Sequence, residues 1–239
     1  MAFRTLAAPI LTLTLVSVTF LGLSAAPPTN YDESKVPSYK LPDPLVLLNG
    51  DKVTDAKTWI TRRRPEILEL FKTQVYGIMP APPKAMSFQV TSSDKKALGG
   101  KATRREVSIH FTADKKGPRL DLLLYLPNDA DGPVPVFLGH NFRGNHTINA
   151  DPKISFNKGW MRNGDGVVNN QSTEAARGTS SSRWDVDAIL AAGYGLVTCY
   201  YGDIDPDYDD DFQNGVHPLF LKAGQKKPGP SEWGSISAW

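Results

Sequence analysis

The segment Gly139-His140-Asn141-Phe142-Arg143-Gly144-Asn145-His146-Thr147 directly follows an apolar run at residues 134–138. Asn141, Arg143, Asn145 and His146 crowd hydrogen-bond donors and acceptors together, and Gly139 and Gly144 permit close backbone approach or positive φ. At the carboxyl end of a buried strand, such a turn can aim backbone N–H groups at an oxyanion formed in acyl transfer. The same residues also suit a turn whose Asn and His side chains bind only backbone, and the sequence leaves both readings open. A second polar segment, Tyr200-Tyr201-Gly202-Asp203-Ile204-Asp205-Pro206-Asp207-Tyr208-Asp209-Asp210-Asp211, follows another apolar run. Its spaced aspartates suggest calcium, but Tyr208 occupies the sixth position after Asp203 where an EF-hand needs Gly, and Pro206 interrupts. An acidic loop held by turn hydrogen bonds is the expectation, with no metal.

His146 and His217 lie near strand ends and are the histidines placed to serve an active edge, but a Ser-His-Asp triad also needs an exposed, strained serine. No G-x-S-x-G is present, and Ser180-Ser181-Ser182 sits where serines cap helices. The single cysteine, Cys199, lies in an apolar run, which makes it a buried structural thiol rather than a nucleophile and excludes an intrachain disulfide.

The elements that must position these loops are legible from periodicity. Residues 55–76 carry Ile67, Leu70, Phe71 and Val75 at helical spacing, with Pro65 near the start of a turn and Gly77 and Pro80 at the end. The Arg62-Arg63-Arg64 cluster reads as a solvated helix start. Residues 87–91, 105–111 and 120–126 alternate as strands joined by short turns, which favours antiparallel neighbours, with His110 expected on an outer face. Residues 134–138 and 195–201 are short, nearly continuous apolar runs, as in strands buried on both faces. Between them lie a long polar segment, residues 144–182, and a helix opened by the capping box Ser182-Arg183-Trp184-Asp185 and closed at Gly193. Strand, helix, strand and the start of another helix predict a parallel α/β sheet with antiparallel strands leading into it.

At 239 residues with a net charge of +2, the chain is long enough for one domain and too nearly neutral to argue for a nucleic-acid partner. Arg4, the apolar stretch of residues 6–23 and the small residues Ser24-Ala25-Ala26 have the pattern of a signal peptide over residues 1–26, which predicts a secreted or periplasmic protein with no membrane segment after cleavage. An uncleaved anchor is the alternative. The proline-rich residues 27–50 read as an extended lead-in, and residues 51–239 as an α/β domain. The last residues read as an opening helix, with Ser231 as N-cap, Glu232 in the first turn and Trp233, Ile236 and Trp239 beginning an apolar face.

Several long motifs, in order, resemble carbohydrate esterase family 15, the glucuronoyl esterases. They are Arg63-Arg64-Pro65-Glu66-Ile67-Leu68-Glu69-Leu70-Phe71 with Tyr76-Gly77-Ile78-Met79-Pro80; Asn141 through Thr147; Arg177-Gly178 with Ser181-Ser182-Arg183-Trp184; Tyr200 through Asp207; Phe212-Gln213-Asn214-Gly215-Val216-His217; and Glu232-Trp233-Gly234. The resemblance covers about residues 40–239. It implies the N-terminal half of an α/β-hydrolase fold ending in the helix before the nucleophile strand. It also implies a serine esterase without cofactors, acting on glucuronate esters that join xylan to lignin alcohols. The family's serine elbow, catalytic acid and histidine have no counterpart here, so the chain is expected to be inactive as given. The expected site wall is Asn141, Phe142, Arg143, Asn145, His146, Asp203 and His217. A fragment of an acetyl xylan esterase-like hydrolase and a non-catalytic carbohydrate-binding relic are the other readings. Oligomeric state is not legible.

Overall fold

The computed structural model describes residues 29–239, and the expected signal peptide lies outside the described residues. The chain divides into two units at residues 43 and 44. The described part of the first is exposed and carries one 3-10 turn, Glu33–Lys35, in which the Ser34 amide donates to the Asp32 carboxylate.

The second unit is built on a mixed sheet. Its strands are β1 (Ser87–Ala97), β2 (Ala102–His110), β3 (Arg119–Pro127), β4 (Val136–Asn141) and, after the two-residue ladder of β5 (Val167–Val168) with β6 (Gln171–Ser172), β7 (Gly195–Tyr200). The five long strands are ordered β1-β2-β3-β7-β4. β1, β2 and β3 pair antiparallel, β3 pairs antiparallel with β7, and β7 pairs parallel with β4. The antiparallel lead-in and the parallel strand-helix-strand unit are therefore present as expected. The crossover between β4 and β7 brings the ends of both strands to one edge of the sheet, beside the start of β3.

All six residues of β7 are buried, as an apolar central strand requires. β4 differs from expectation. It lies at the sheet edge, and Phe137 and Leu138, which point to opposite faces of the sheet, are both exposed. The main core joins Leu123 and Tyr125 of β3, Leu196 of β7, and Val186 and Leu190 of a short helix, α3 (Val186–Ala191). Ile148 and Ile154 complete it, so the long polar segment after β4 is part of the core rather than an excursion from it.

That segment is ordered by side chains of opposite charge. Arg177 forks onto both oxygens of Glu174 at 2.7 and 2.9 Å, donates to the carbonyls of Asp151 and Ile154, and covers the Phe156 ring at 4.6 Å. Arg104, buried on β2, donates to Asp151 at 2.8 Å and to Ser92 at 3.1 Å. Glu106, also buried, accepts the Ser155 amide at 2.8 Å.

Helix boundaries moved where side chains offered better caps. Asp185, not Ser182, caps α3 by accepting the Ala188 amide at 3.0 Å, while residues 180–184 form turns on the Ser180 carbonyl. Gly193 closes α3 at φ +80° as anticipated. The first helical run starts at Asp55, ahead of Pro65. It passes from α1 (Ala56–Thr58) through a π turn, Trp59–Arg63, into α2 (Arg64–Phe71) and a second π turn, Lys72–Tyr76. The widened turn before Pro65 accommodates a residue with no amide to donate. Arg63 is not solvated: it is buried, donating to the Pro44 carbonyl and to Glu66. His110 is likewise buried rather than outward.

The final helix, α4 (Ser235–Ala238), begins at Gly234, so Ser231 does not cap it. The Ser231 carbonyl instead accepts the Ile78 amide at 2.8 Å, and Glu232 gathers Lys222, Gln225 and the Gly229 amide. Gly77 makes this docking possible, since at φ +80° a Cβ there would lie 2.3 Å from the Glu232 carbonyl oxygen. Trp233 is buried and Trp239 packs on Tyr201, while Ile236 is exposed. No helix among the described residues is long and apolar enough to cross a membrane.

The Arg104–Asp151 pair carries a direct stability test. Asp151→Ala strands a buried guanidinium, and urea denaturation should register a loss of about 3 kcal/mol. Adding Arg104→Met removes the stranded charge and should restore a large part of that loss.

Candidate functional site

The carboxyl ends of β4 and β7 are joined by a chain of buried amides. Asn141, the last residue of β4, donates through Nδ2 to Asn145 at 2.8 Å and to Thr198 of β7 at 3.1 Å, and its Oδ1 accepts the Gly144 amide at 2.7 Å. Asn145 donates in turn to the carbonyl of Asp121 on β3 at 2.7 Å, and its amide is met by Asn157 Oδ1 at 2.7 Å. Asn157 then donates to Asp203 Oδ2 at 2.9 Å, which also accepts the Asp121 amide at 3.3 Å. Four segments of the fold are thereby pinned at one point. Gly144, at φ +92°, is required because a Cβ would meet the His146 ring at 2.6 Å.

This network decides what each expected wall residue can do. Asn141 and Asn145 are buried and their polar atoms are engaged internally. The amides of Gly144 and Asn145 are also spoken for, so they are not the free N–H groups that an oxyanion needs. His146 is wholly buried against Phe156 with neither ring nitrogen hydrogen-bonded, and burial, then the nearby Arg177 charge, pulls its pKa down to about 4. His217 is wholly buried between the rings of Phe212 and Trp233, 3.7 Å from Asp205, and burial again lowers its pKa. Neither imidazole reaches a cleft, so neither is a proton shuttle to a bound substrate in this arrangement.

Phe142, Arg143 and Asp203 do face open space. Phe142 and Arg143 are exposed and line a cleft of about 230 Å³ with Tyr200, Tyr201 and Met161. Its wall is aromatic: Phe142 packs on Tyr201 at 5.0 Å, and Tyr201 meets Trp239 edge-on at 4.8 Å. Asp203 lies on the other side of the Tyr201–Asp203 turn, in a cleft of about 470 Å³. The seven residues therefore divide into a buried scaffold and two separate cleft linings.

Part of the acidic loop is held by its own neighbours. Tyr201 donates to Asp207 at 2.9 Å, and Asp210 accepts from Gln213 and Asn214. Among the described residues no group of three or more His, Cys, Asp or Glu side chains is placed to hold a metal ion. Cys199 lies 3.2 Å from His140 Nδ1 across the β4–β7 pair, but burial pushes its thiol up to about 12, far from a reactive thiolate. Sequence reasoning placed Arg177 in a motif without giving it a role, and it missed Asn157 and Asp121. Only the length of the polar segment, too great for an idle loop, pointed toward Asn157.

Asp203 supplies a pH test. Burial, then the neighbouring Asp121 charge, raises its pKa to about 7, while the unfolded chain loses this proton near the ordinary 3.8. The folded state thus holds the proton through the interval between those values, and this group's contribution to stability falls as pH rises from about 4 to 7. Asp203→Asn removes that loss while keeping an oxygen for Asn157 and the Asp121 amide. The stability difference, variant minus parent, should grow by about 3 kcal/mol between pH 4.5 and 7.5 in urea melts and level off above.

No protein-family model matches the sequence. The chain is 44% identical over 212 residues to carbohydrate esterase MZ0003 of an unknown prokaryotic organism, a match spanning 88% of this chain and 49% of that protein. It superposes on a glucuronoyl esterase from Solibacter usitatus with a TM-score of 0.77 and 48% identity, covering 87% of this chain and 52% of that one. A promiscuous CE15 esterase from a marine bacterial metagenome gives a TM-score of 0.72 and 43% identity, with 88% and 52% covered. The chain thus spans about half the length of the relatives it matches. Its close homologues and structural neighbours are glucuronoyl esterases of carbohydrate esterase family 15, and the chain corresponds to about half of their length.

Proposed function

We infer that this polypeptide forms the N-terminal part of a carboxylic ester hydrolase acting on glucuronate esters of xylan, at the bonds that join the polysaccharide to lignin alcohols. The observation that carries this is identity of 43–48% to solved esterases of this family across nearly nine-tenths of the chain. In this reading the chain's own contribution is a wall. The Asn141 network fixes the turn after β4, Phe142 and Tyr201 offer an apolar face for an alcohol, and Arg143 offers a cation for a carboxyl-derived oxygen. The nucleophile, its histidine and the orienting carboxylate come from the remainder of the family's polypeptide. Esters that span polysaccharide and lignin lie outside cells. The apolar residues 6–23, with Arg4 ahead and Ser24-Ala25-Ala26 behind, favour an exported protein, secreted or periplasmic.

The test is an esterase assay on two polypeptides: the 239-residue chain, and the same chain joined to the C-terminal portion of the Solibacter usitatus glucuronoyl esterase. Only the joined form should hydrolyse an aryl-alkyl glucuronate ester, and it should do so in preference to acetylated xylan. Hydrolysis by the 239 residues alone, or a folded joined form that prefers acetylated xylan, would contradict the reading.

A further inference from the structure

The cleft of about 470 Å³ is walled by five segments: the β2–β3 turn, the start of β3, residues 158–160, the turn after β7, and residues 214–215. Its size is that of a small-ligand site. Three features give it a chemistry that the wall around Phe142 lacks.

The first is charge. Lys115, Lys116 and Lys158 line the cleft, are exposed, and have no ion-pair partner among the described residues. Lys115 is held at φ +57°, which fixes the turn that carries the first two. Arg119 adds a fourth cation but is forked onto Asp121 at 3.0 and 3.1 Å. Unpaired ammonium groups converging from two segments favour an anion.

The second is an aromatic surface. Trp160 and Tyr208 line the same cleft with ring centroids 4.7 Å apart. Both are anchored from behind: Tyr200 Oη donates to the Trp160 carbonyl at 2.9 Å, and Asn214 donates to Tyr208 Oη at 2.8 Å. Rigid aromatic faces of this kind receive the C–H face of a sugar ring at little entropic cost.

The third is an acceptor on the floor. Asp203 Oδ2 takes the hydrogen bonds of Asn157 and the Asp121 amide, whereas Oδ1 accepts none among the described residues. Gly159 leaves that oxygen uncovered, since a Cβ there would stand 3.4 Å from Oδ1.

We propose that this cleft binds a uronosyl residue of an acidic polysaccharide, with the pyranose face on Trp160 and Tyr208, the carboxylate on Lys115, Lys116 and Lys158, and a ring hydroxyl on Asp203 Oδ1. The choice of a uronosyl unit rests on the esterase reading above, because cleaving a glucuronate ester leaves a free uronate on the same polysaccharide. The chain would then hold de-esterified glucuronoxylan as well as form part of the wall for the ester.

Affinity electrophoresis of the 239-residue chain tests this, using gels cast with de-esterified glucuronoxylan or with xylan stripped of its glucuronosyl branches. The chain should be retarded only by the first. Lys115→Ala, Lys116→Ala and Lys158→Ala together should weaken that retardation about tenfold, and Trp160→Ala should weaken it too. Lys57→Ala, Lys72→Ala and Lys84→Ala together, removing the same charge from exposed sites elsewhere, should leave it unchanged. Equal retardation by both xylans, equal loss from both lysine triples, or no retardation of the parent chain would each overturn the proposal. Because no ester is present in the gels, retardation persisting while the joined polypeptide fails on glucuronate esters would reject the esterase reading and keep the binding site.

Discussion

A carboxamide buried at the end of an edge strand must have its donors and its acceptor met inside the protein, because unmet polar groups cost more than the hydrogen bonds gain. Asn141 is that group. Its partners are a hydroxyl on the neighbouring strand and an amide and a carboxamide in the loop that follows, so satisfying it fixes the loop against the sheet. The constraint propagates. Asn145 is committed to β3, Asn157 is committed to Asn145 and Asp203, and the turn after β7 is thereby held to the start of β3. A run of polar residues that looks like a reactive cluster in the sequence is, in large part, the frame for the two clefts beside it.

That frame explains the division of labour at the carboxyl edge. The Tyr201–Asp203 turn separates an aromatic cleft beside Phe142 and Arg143 from a cationic one beside Lys115 and Lys158. Both depend on the segment after β4 lying close to the sheet. It is kept there by Arg104 and Arg177, whose guanidinium groups fork onto Asp151, Glu174 and main-chain carbonyls. Burying so many charged groups is tolerated because each is paired.

Much of the sheet was legible from sequence because its signals are local: alternation in β2 and β3, a continuous apolar run in β7, and turns between. What could not be read depends on partners distant in sequence. The run at 134–138 resembles a strand buried on both faces, yet β4 sits at an edge, since apolar content does not report how many neighbours a strand has. Ser182 and Ser231 satisfied cap patterns, but Asp185 caps the first helix and the Ser231 carbonyl is taken by the distant Ile78 amide. Of the expected wall residues, Phe142, Arg143 and Asp203 reach clefts. Asn141, Asn145, His146 and His217 are buried, because the same donors and rings that suit a substrate also suit a packed turn. Residue type named the region, and only the fold could say which side chains face outward.

The central claim is that the Asn141 carboxamide holds the turn after β4 in place. Amide hydrogen exchange resolved by residue tests it in the Asn141→Ala variant. The account predicts that the Gly144 and Asn145 amides lose about 2 kcal/mol of protection, some thirtyfold in exchange rate, while amides in the β2–β3 pairing retain theirs. Unchanged protection at Gly144 and Asn145, or a loss shared evenly across the sheet, would contradict it.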